Sequence, residues 1–316
     1  MTKKQVEITK ELGDIIKISY DLQLVNYNAS ENLSGLIKVA ENMYSEQIEK
    51  VAEEISTGNY KVVLVAGPSC AGKTTSSIRI KKALAKRGYN TKIVSLDDFL
   101  IDREKTPRLP DGSYDFENVT TIDIPELKKF IKNIITTGKA YLPHYDFMVD
   151  KRTGFSSFTL GENEKIIFEG LHALNPIITK NIASKNFYRV FVSVTSNFVV
   201  GKDVVVNNKQ LRYMRRMLRD YHKRGTSIRE SAETWKNVCK GEDDFITDFK
   251  TSVNCILNTT HMYEPLLYDT YLSPLIKNIE NIDDVNDIKK IFEKTGKLHK
   301  EVVPKNSLIW EFLPKN

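Results

Sequence analysis

"YKVVLVAGPSCAGKTTSS" occupies residues 60–77, and its reading decides the fold. "YKVVLVAG" is a short apolar run of strand length that enters a glycine loop. Gly67-Pro68-Ser69-Cys70-Ala71-Gly72-Lys73-Thr74 then fits G-x-x-x-x-G-K-[ST] in full, and a helical pattern follows from Lys73 to Lys86 before Gly88 stops it. Gly67 and Gly72 let the backbone curl so that several N–H groups point inward at oxyanions. The helix beginning near Lys73 adds its positive end. Lys73 would neutralise β- and γ-phosphate charge, and the Thr74 hydroxyl would be a Mg²⁺ ligand. Gly67, Ser69, Cys70, Ala71, Gly72, Lys73, Thr74 and Thr75 are therefore the expected cradle of a nucleoside triphosphate with Mg²⁺. A chance match to the pattern would not bring a strand before it and a helix after it.

Around this loop, apolar runs alternate with helical patterns. "TKIVSL" (91–96), "EKIIFEG" (164–170) and "FYRVFVSV" (187–194) read as further strands, which predicts a parallel sheet covered by helices on both faces. Ahead of it, Leu33, Leu36, Ile37, Ala40, Met43, Tyr44, Ile48, Val51, Ala52 and Ile55 recur at steps of three and four, the mark of a long amphipathic helix ending at Gly58-Asn59. Residues 1–30 signal little. The expected organisation is a helical N-terminal extension over 1–58 that packs on the main domain, a nucleotide-binding α/β domain over 59–300, and a tail over 301–316.

The 316 residues are 41% hydrophobic and 28% charged with a net charge of +6, the profile of a globular chain suited to a polyanionic small substrate. The three cysteines, Cys70, Cys239 and Cys255, lack metal-ligand spacing and argue for a reducing, cytoplasmic setting. No apolar run approaches the ~20 residues of a membrane helix, and the start has no apolar leader core.

The loop alone does not say where the terminal phosphate goes. A guanine-reading Asn-Lys-x-Asp motif is missing, since "NKQL" at Asn208–Leu211 lacks the aspartate. "LSG" at Leu33–Gly35 precedes the loop, where no transporter signature belongs. Both points lower the switch and motor readings. Asp97 and Asp98 follow the second strand, where an open parallel sheet opens into its ligand crevice. A carboxylate there can accept a hydroxyl proton or help hold Mg²⁺, and it can equally cap a helix. Glu169, in "IIFEG", ends an apolar strand where a metal-side acid belongs, or is a surface carboxylate at a turn.

In "NKQLRYMRRMLRDYHKRG", Arg212, Arg215, Arg216, Arg219 and Lys223 share one helical face, with Leu211, Met214, Leu218 and Tyr221 on another. Three readings are open: a solvated basic face, a clamp on RNA, or a mobile lid over about 200–240 that closes on a triphosphate. Exposed aromatics and reader modules are lacking, which argues against nucleic acid and favours the lid. The rival to catalysis is a regulatory ATP-binding protein whose basic helix contacts RNA.

"GPSCAGKTT", "SLDDFL", "GSYDFENVTTIDI", "LPHYDF…KR", "IIFEGLHAL" and "RRMLRDYHKRG" together resemble, in order, the uridine kinase and phosphoribulokinase family of P-loop kinases over roughly residues 60–225, with weaker similarity to about 280. The string "SLDDFLIDREKTPRLPDGSYDFE" is most similar to a bacterial branch of uridine kinase-like nucleoside kinases. Longer members of that branch carry a region like part of threonyl-tRNA synthetase where 1–58 stands here. The resemblance implies a three-layer P-loop fold and ATP-dependent transfer to a hydroxyl of a nucleoside or sugar-type molecule. It implies Asp97 as general base, Lys73 with Arg216 and Arg219 on the phosphates, and Thr74, Glu169 and Asp97 near Mg²⁺. Glu117, Tyr145, Arg152 and Arg216 would line the acceptor site. Asp150, Thr226 and Thr234 depart from the family's base-reading positions, which leaves the acceptor's identity open.

Five further residues remain to be placed. Cys70 would be an accessible thiol by a helix N-terminus, either reactive or inert. His144 and His172 either serve the site or are satisfied locally. Trp235 and Trp310 read as packing residues. The tail "KNSLIWEFLPKN" could pack on a neighbouring subunit, which leaves a homo-oligomer open.

Overall fold

The structure is a computed structural model that describes residues 7–11, 15–110, 112–180, 182, 187–245 and 253–314. The chain opens with strands β1 (Glu7–Glu11) and β2 (Ile15–Asp21), then helices α1 (Leu22–Glu31) and α2 (Leu33–Thr57). The extension expected to be helical over 1–58 therefore contains an antiparallel strand pair ahead of its helices. The sequence there carries too short a run to signal it. Asp21 caps α1 by accepting from the Gln23 and Leu24 amides, and Asn32 caps α2 at Gly35.

Strand β3 (Val62–Ala66) leads through the glycine loop into α3 (Lys73–Ala85), and β4 (Thr91–Ser95) follows. Next come α4 (Ile124–Thr137), a hairpin of β5 (Lys139–Asp146) and β6 (Lys151–Thr159), β7 (Lys165–Glu169), the single turn α5 (Pro176–Thr179) and β8 (Phe187–Ser193). Strands β9 (Asn197–Val200) and β10 (Asp203–Val206) precede helices α6 (Asn208–Arg224), α7 (Ile228–Glu233) and α8 (Trp235–Phe245). Strand β11 (Cys255–Asn258) and helices α9 (Glu264–Ile276) and α10 (Asp283–Phe292) complete it.

Five strands form one parallel sheet in the order β11-β8-β3-β7-β4. This is the α/β fold of P-loop NTPases. The side-chain period of two splits every central strand between two cores. Val63 and Val65 of β3, Ile167 of β7 and Tyr188, Val190 and Val192 of β8 face one way, against α2, α3, α6 and α9. Val62, Leu64 and Ala66, with Ile166, Phe168, Phe187 and Phe191, face the other, against α4. Both faces being covered, β3 and β7 have no exposed residue; β3 is apolar throughout, and β7 is apolar between Lys165 and Glu169.

Helix α2 belongs to the first of these cores: Tyr44, Ile48, Val51 and Ile55 are buried in it. Strand β2 also pairs in parallel with β9, tying the chain's beginning into a second, four-stranded sheet ordered β1-β2-β9-β10. The tail packs within its own chain. Leu308, Ile309, Phe312 and Leu313 have no exposed surface and lie in the same core.

Candidate active site

The topology brings three strand ends side by side. β7 lies between β3 and β4, with Glu169 in register with Val65 on one side and Ser95 on the other. The glycine loop after β3, Asp97 after β4 and Glu169 at the end of β7 therefore share one rim of the sheet. That rim is where open α/β sheets bind ligands.

Close packing dictates the loop's glycines. A Cβ on Gly67 would lie 1.9 Å from the Val192 carbonyl oxygen, so the backbone passes too near β8 for any side chain. Gly72, at φ 89°, takes the left-handed turn into α3, and a Cβ there would meet Leu308 at 2.7 Å. Cys70 also sits in the left-handed region, at φ 58°. Its side chain is 3% exposed, so the expected accessible thiol is instead buried in the core. Lys73 Nζ donates to the Pro68 carbonyl at 3.0 Å, folding back over the loop.

Thr74 is exposed, and its hydroxyl lies 3.4 Å from Glu169 Oε1. Burial pushes the Glu169 carboxyl up; Lys73 pulls it down, while the charges of Asp97 and Glu311 push it further up. Asp97 reaches solvent in the cleft, but the surrounding protein still raises its carboxyl, against the pull of Lys73 and Arg224. Burial raises Asp98 too, opposed by His144. Acids held together against their own repulsion, beside a hydroxyl, are a hard oxygen set that a cation would relieve. They fit Mg²⁺, which typically takes one or two protein oxygens and completes its shell with phosphate and water. Among the described residues, no group of three or more His, Cys, Asp or Glu side chains is placed to hold a metal ion.

Glu117 is half-buried, and its carboxyl is pushed up to about 7, first by burial and then by the charge of Glu242; Arg216 and Lys73 oppose the shift. His172, packed on the Glu117 backbone, is held neutral: burial takes it down to about 4. It is therefore a core histidine at neutral pH. His144 bonds Ser156 at 2.8 Å.

Helix α6 carries its arginines inward. Arg212 is 4% exposed and Arg215 wholly buried, so these two are not a solvated basic face. Arg212 Nη1 donates to the Ser69 carbonyl at 3.0 Å and pairs with Glu242 at 2.8 Å. Arg216 Nη1 lies 3.4 Å from the Ser69 hydroxyl. Asp220, itself buried, gathers three guanidinium groups: Arg216 at 3.5 Å, Arg219 at 2.7 Å and Arg224 at 3.6 Å. Trp235 stacks on Tyr213 with ring centroids 5.1 Å apart, and the Trp310 indole donates to the Pro304 carbonyl, both packing roles.

Two other predicted residues lie on the hairpin. Tyr145 meets Phe147 edge-on at 5.1 Å. Arg152 pairs with Asp123 at 3.1 Å and donates to the carbonyls of Phe99 and Leu100, so it ties the hairpin to the segment after Asp97 and Asp98. Asp150 pairs with Arg103, and the Thr234 hydroxyl bonds back into its own helix at Glu230.

The phosphoribulokinase / uridine kinase family model matches residues 62–263, well over half of the chain. The chain belongs to the phosphoribulokinase/uridine kinase family. Among curated proteins it is 28% identical to uridine-cytidine kinase C of Dictyostelium discoideum over 178 residues, 56% of this chain and 34% of that one. It is 23% identical to the uridine kinase of Mycoplasma genitalium over 197 residues, covering 62% of this chain and 84% of that one. A third relative is uridine kinase-like protein 3 of Arabidopsis thaliana, at 21% identity over 75% of this chain and 47% of that one. The chain thus spans only about a third to a half of the length of two of these relatives. Among solved structures, a possible uridine kinase from Bacillus stearothermophilus is similar at 20% identity over 46% of this chain and 79% of that one. Its TM-score of 0.38 is too low to bear on the fold, which rests on the sheet itself.

Several contacts that hold this kinase-family loop escaped the sequence reading. Arg215 donates to the Cys70 carbonyl at 3.2 Å and grips both oxygens of Glu264. The Thr259 hydroxyl donates to the Ala71 carbonyl at 2.7 Å. Glu311 of the tail accepts from the Thr75 hydroxyl at 2.5 Å, so Thr75 is engaged from the side of the tail. No local pattern marks these partners, which lie 49 to 236 residues apart along the chain. Among the described residues, no helix is long and apolar enough to cross a membrane.

Proposed function

We propose that the protein is an ATP-dependent kinase that transfers the γ-phosphoryl group to a hydroxyl of a nucleoside or sugar-type small molecule. The observation that carries this reading is the shared rim: an amide-lined loop with Lys73, and the two acids Asp97 and Glu169, at the ends of three adjacent parallel strands. The inward-facing arginines of α6 support it as well, since they point at the loop rather than outward to an RNA backbone.

In this reading the loop amides and Lys73 hold the polyphosphate. Asp97 orients the acceptor hydroxyl and takes its proton, while the new P–O bond forms in line with the breaking bond to the β–γ bridging oxygen, releasing ADP. A carboxyl raised above the usual aspartate range is a better proton acceptor than an ordinary one. Thr74 and Glu169 would hold Mg²⁺, which supplies neutralising charge to the phosphates. Arg216 and Arg219, set by Asp220, offset charge on the transferring group. Glu117 and Tyr145 face the acceptor. The experiment is an acceptor screen: nucleosides and pentose derivatives are offered with Mg·ATP, and ADP release is followed. Release stimulated by one hydroxyl compound class is expected. ATP hydrolysis that ignores every acceptor would contradict the proposal.

A further inference from the structure

Glu242 of α8 occupies an unusual place. Its Oε1 accepts from the Ser69 amide at 2.7 Å, inside the loop whose amides serve anions, and from Arg212 Nη1 at 2.8 Å. The residue is 4% exposed. A carboxylate oxygen on a loop amide, backed by an arginine, has the same chemistry as a bound phosphate oxygen. One amide N–H makes one strong bond of this kind, so the two anions exclude each other there.

The helix that brings this carboxylate is seated without a side chain. Gly241 lies so close to Glu117 that an added Cβ would fall 2.4 Å from the Glu117 Cβ. The seat is also electrostatically costly, because the charges of Glu117 and Glu242 oppose each other there. The other end of α8 is anchored: Trp235 stacks on Tyr213 and lies under the Arg212 guanidinium at 5.4 Å. Arg212 Nη1 donates to the Ser69 carbonyl at 3.0 Å as well as to Glu242, so it is tied to the loop directly.

We propose that Glu242 is an affinity-determining residue, a built-in competitor that holds the Ser69 amide until a polyphosphate displaces it and α8 lifts about Trp235. This rests on the reading of residues 67–74 as the nucleotide site. Nucleotide affinity is then reduced by the fraction of molecules in which the carboxylate is seated.

The test measures binding of a non-hydrolysable Mg·ATP analogue, and separately of inorganic tripolyphosphate, to wild type, Glu242→Gln and Gly241→Ala by calorimetry. Both substitutions unseat the competitor, one by removing its charge and one by crowding Glu117. Both are expected to tighten both ligands by about tenfold, the worth of one charge-assisted hydrogen bond. Amide hydrogen exchange on the wild type decides the matter if a variant fails to fold: the analogue should speed exchange over 235–245 while slowing it over 67–76. Equal or weaker binding by folded variants, or slower exchange over 235–245, overturns the proposal and leaves the nucleotide site standing. Failure of the wild type and both variants to bind either ligand removes the nucleotide reading, and this proposal with it.

Discussion

Arg215 and Glu264 meet through two bonds of 2.7 Å, Nε to Oε2 and Nη2 to Oε1, with neither side chain exposed at all. Around this pair the Tyr268 hydroxyl and the His261 amide also donate to Glu264, while Arg215 reaches the Cys70 carbonyl and both oxygens of Thr259. The outer side of the phosphate loop is thereby hung from α6 and α9. A carboxylate so completely bonded is rigid, and it passes that rigidity to the loop.

Breaking this pair from one side leaves an uncompensated buried charge. Glu264→Ala is expected to destabilise the protein by about 3–5 kcal/mol. Replacing both members by apolar residues, Arg215→Met with Glu264→Leu, should recover part of that loss. Chemical denaturation of the three variants measures it. A single variant as stable as the wild type would mean that the pair contributes nothing to the framework.

Lys73 is half-buried; its ammonium bonds the Pro68 carbonyl, and its charge opposes the raised carboxyls of Asp97, Glu117 and Glu169. Lys73→Ala should therefore cost a modest amount of stability, on the order of 1 kcal/mol. Turnover of ATP should fall by roughly 10²-fold or more, because the lost charge faces the phosphates. Steady-state kinetics alongside thermal unfolding separates the two effects. A folded variant with full activity would place the polyphosphate elsewhere.

Glu117 links stability to pH. Its carboxyl titrates near 7 in the fold against 4.5 for the free side chain, so between those values the folded state holds a proton that the unfolded chain has lost. Stability from this group is full below pH 4.5 and is lost as pH rises through 7. Glu117→Gln should be indistinguishable from the wild type at pH 4.5 and more stable at pH 8, by on the order of 2 kcal/mol. Denaturant titrations at the two pH values check the sign; a variant no more stable at pH 8 would refute it.

Gly67→Ala tests the loop's backbone. The new methyl would overlap the Val192 carbonyl oxygen at 1.9 Å, where the loop backbone just past β3 runs against the main chain of β8. Neither can give way cheaply. A loss of about 2 kcal/mol or more is expected, with weaker nucleotide binding. A variant of unchanged melting temperature would show that the loop has room there.

Strands β3, β7 and β8 were legible because burial on both faces makes their sequences largely apolar, while β4, partly exposed at the sheet edge, was read from its short Ile93-Val94 run. The loop was legible because phosphate binding needs glycines at fixed positions. The β5–β6 hairpin was not: its face is half polar, as in Thr153-Gly154-Phe155-Ser156-Ser157, and it carries no periodicity to read. Strand β11 has four residues, too few for a pattern. Helix α6 was half legible. Leu211, Met214 and Leu218 are buried as their spacing suggests, but Tyr221 is 42% exposed while Arg215 is wholly enclosed. An arginine reads as surface until its partner is known, and Glu264 stands 49 residues further on. Asp97, Glu169 and Glu117 were found as candidate acids. Glu242 was not, because nothing near it in sequence shows that α8 returns to the loop.

The central claim is that Asp97 takes the proton of an acceptor hydroxyl while the neighbouring loop holds the polyphosphate. Single-turnover transfer of label from the γ-position of ATP, run on wild type and Asp97→Asn with the acceptor found by screening, tests it most directly. The account predicts label on the acceptor hydroxyl with wild type. With Asp97→Asn it predicts a rate at least about 10²-fold lower and Mg·ATP affinity kept. Full-rate transfer by the folded variant, or label appearing only in inorganic phosphate with the wild type, would contradict it.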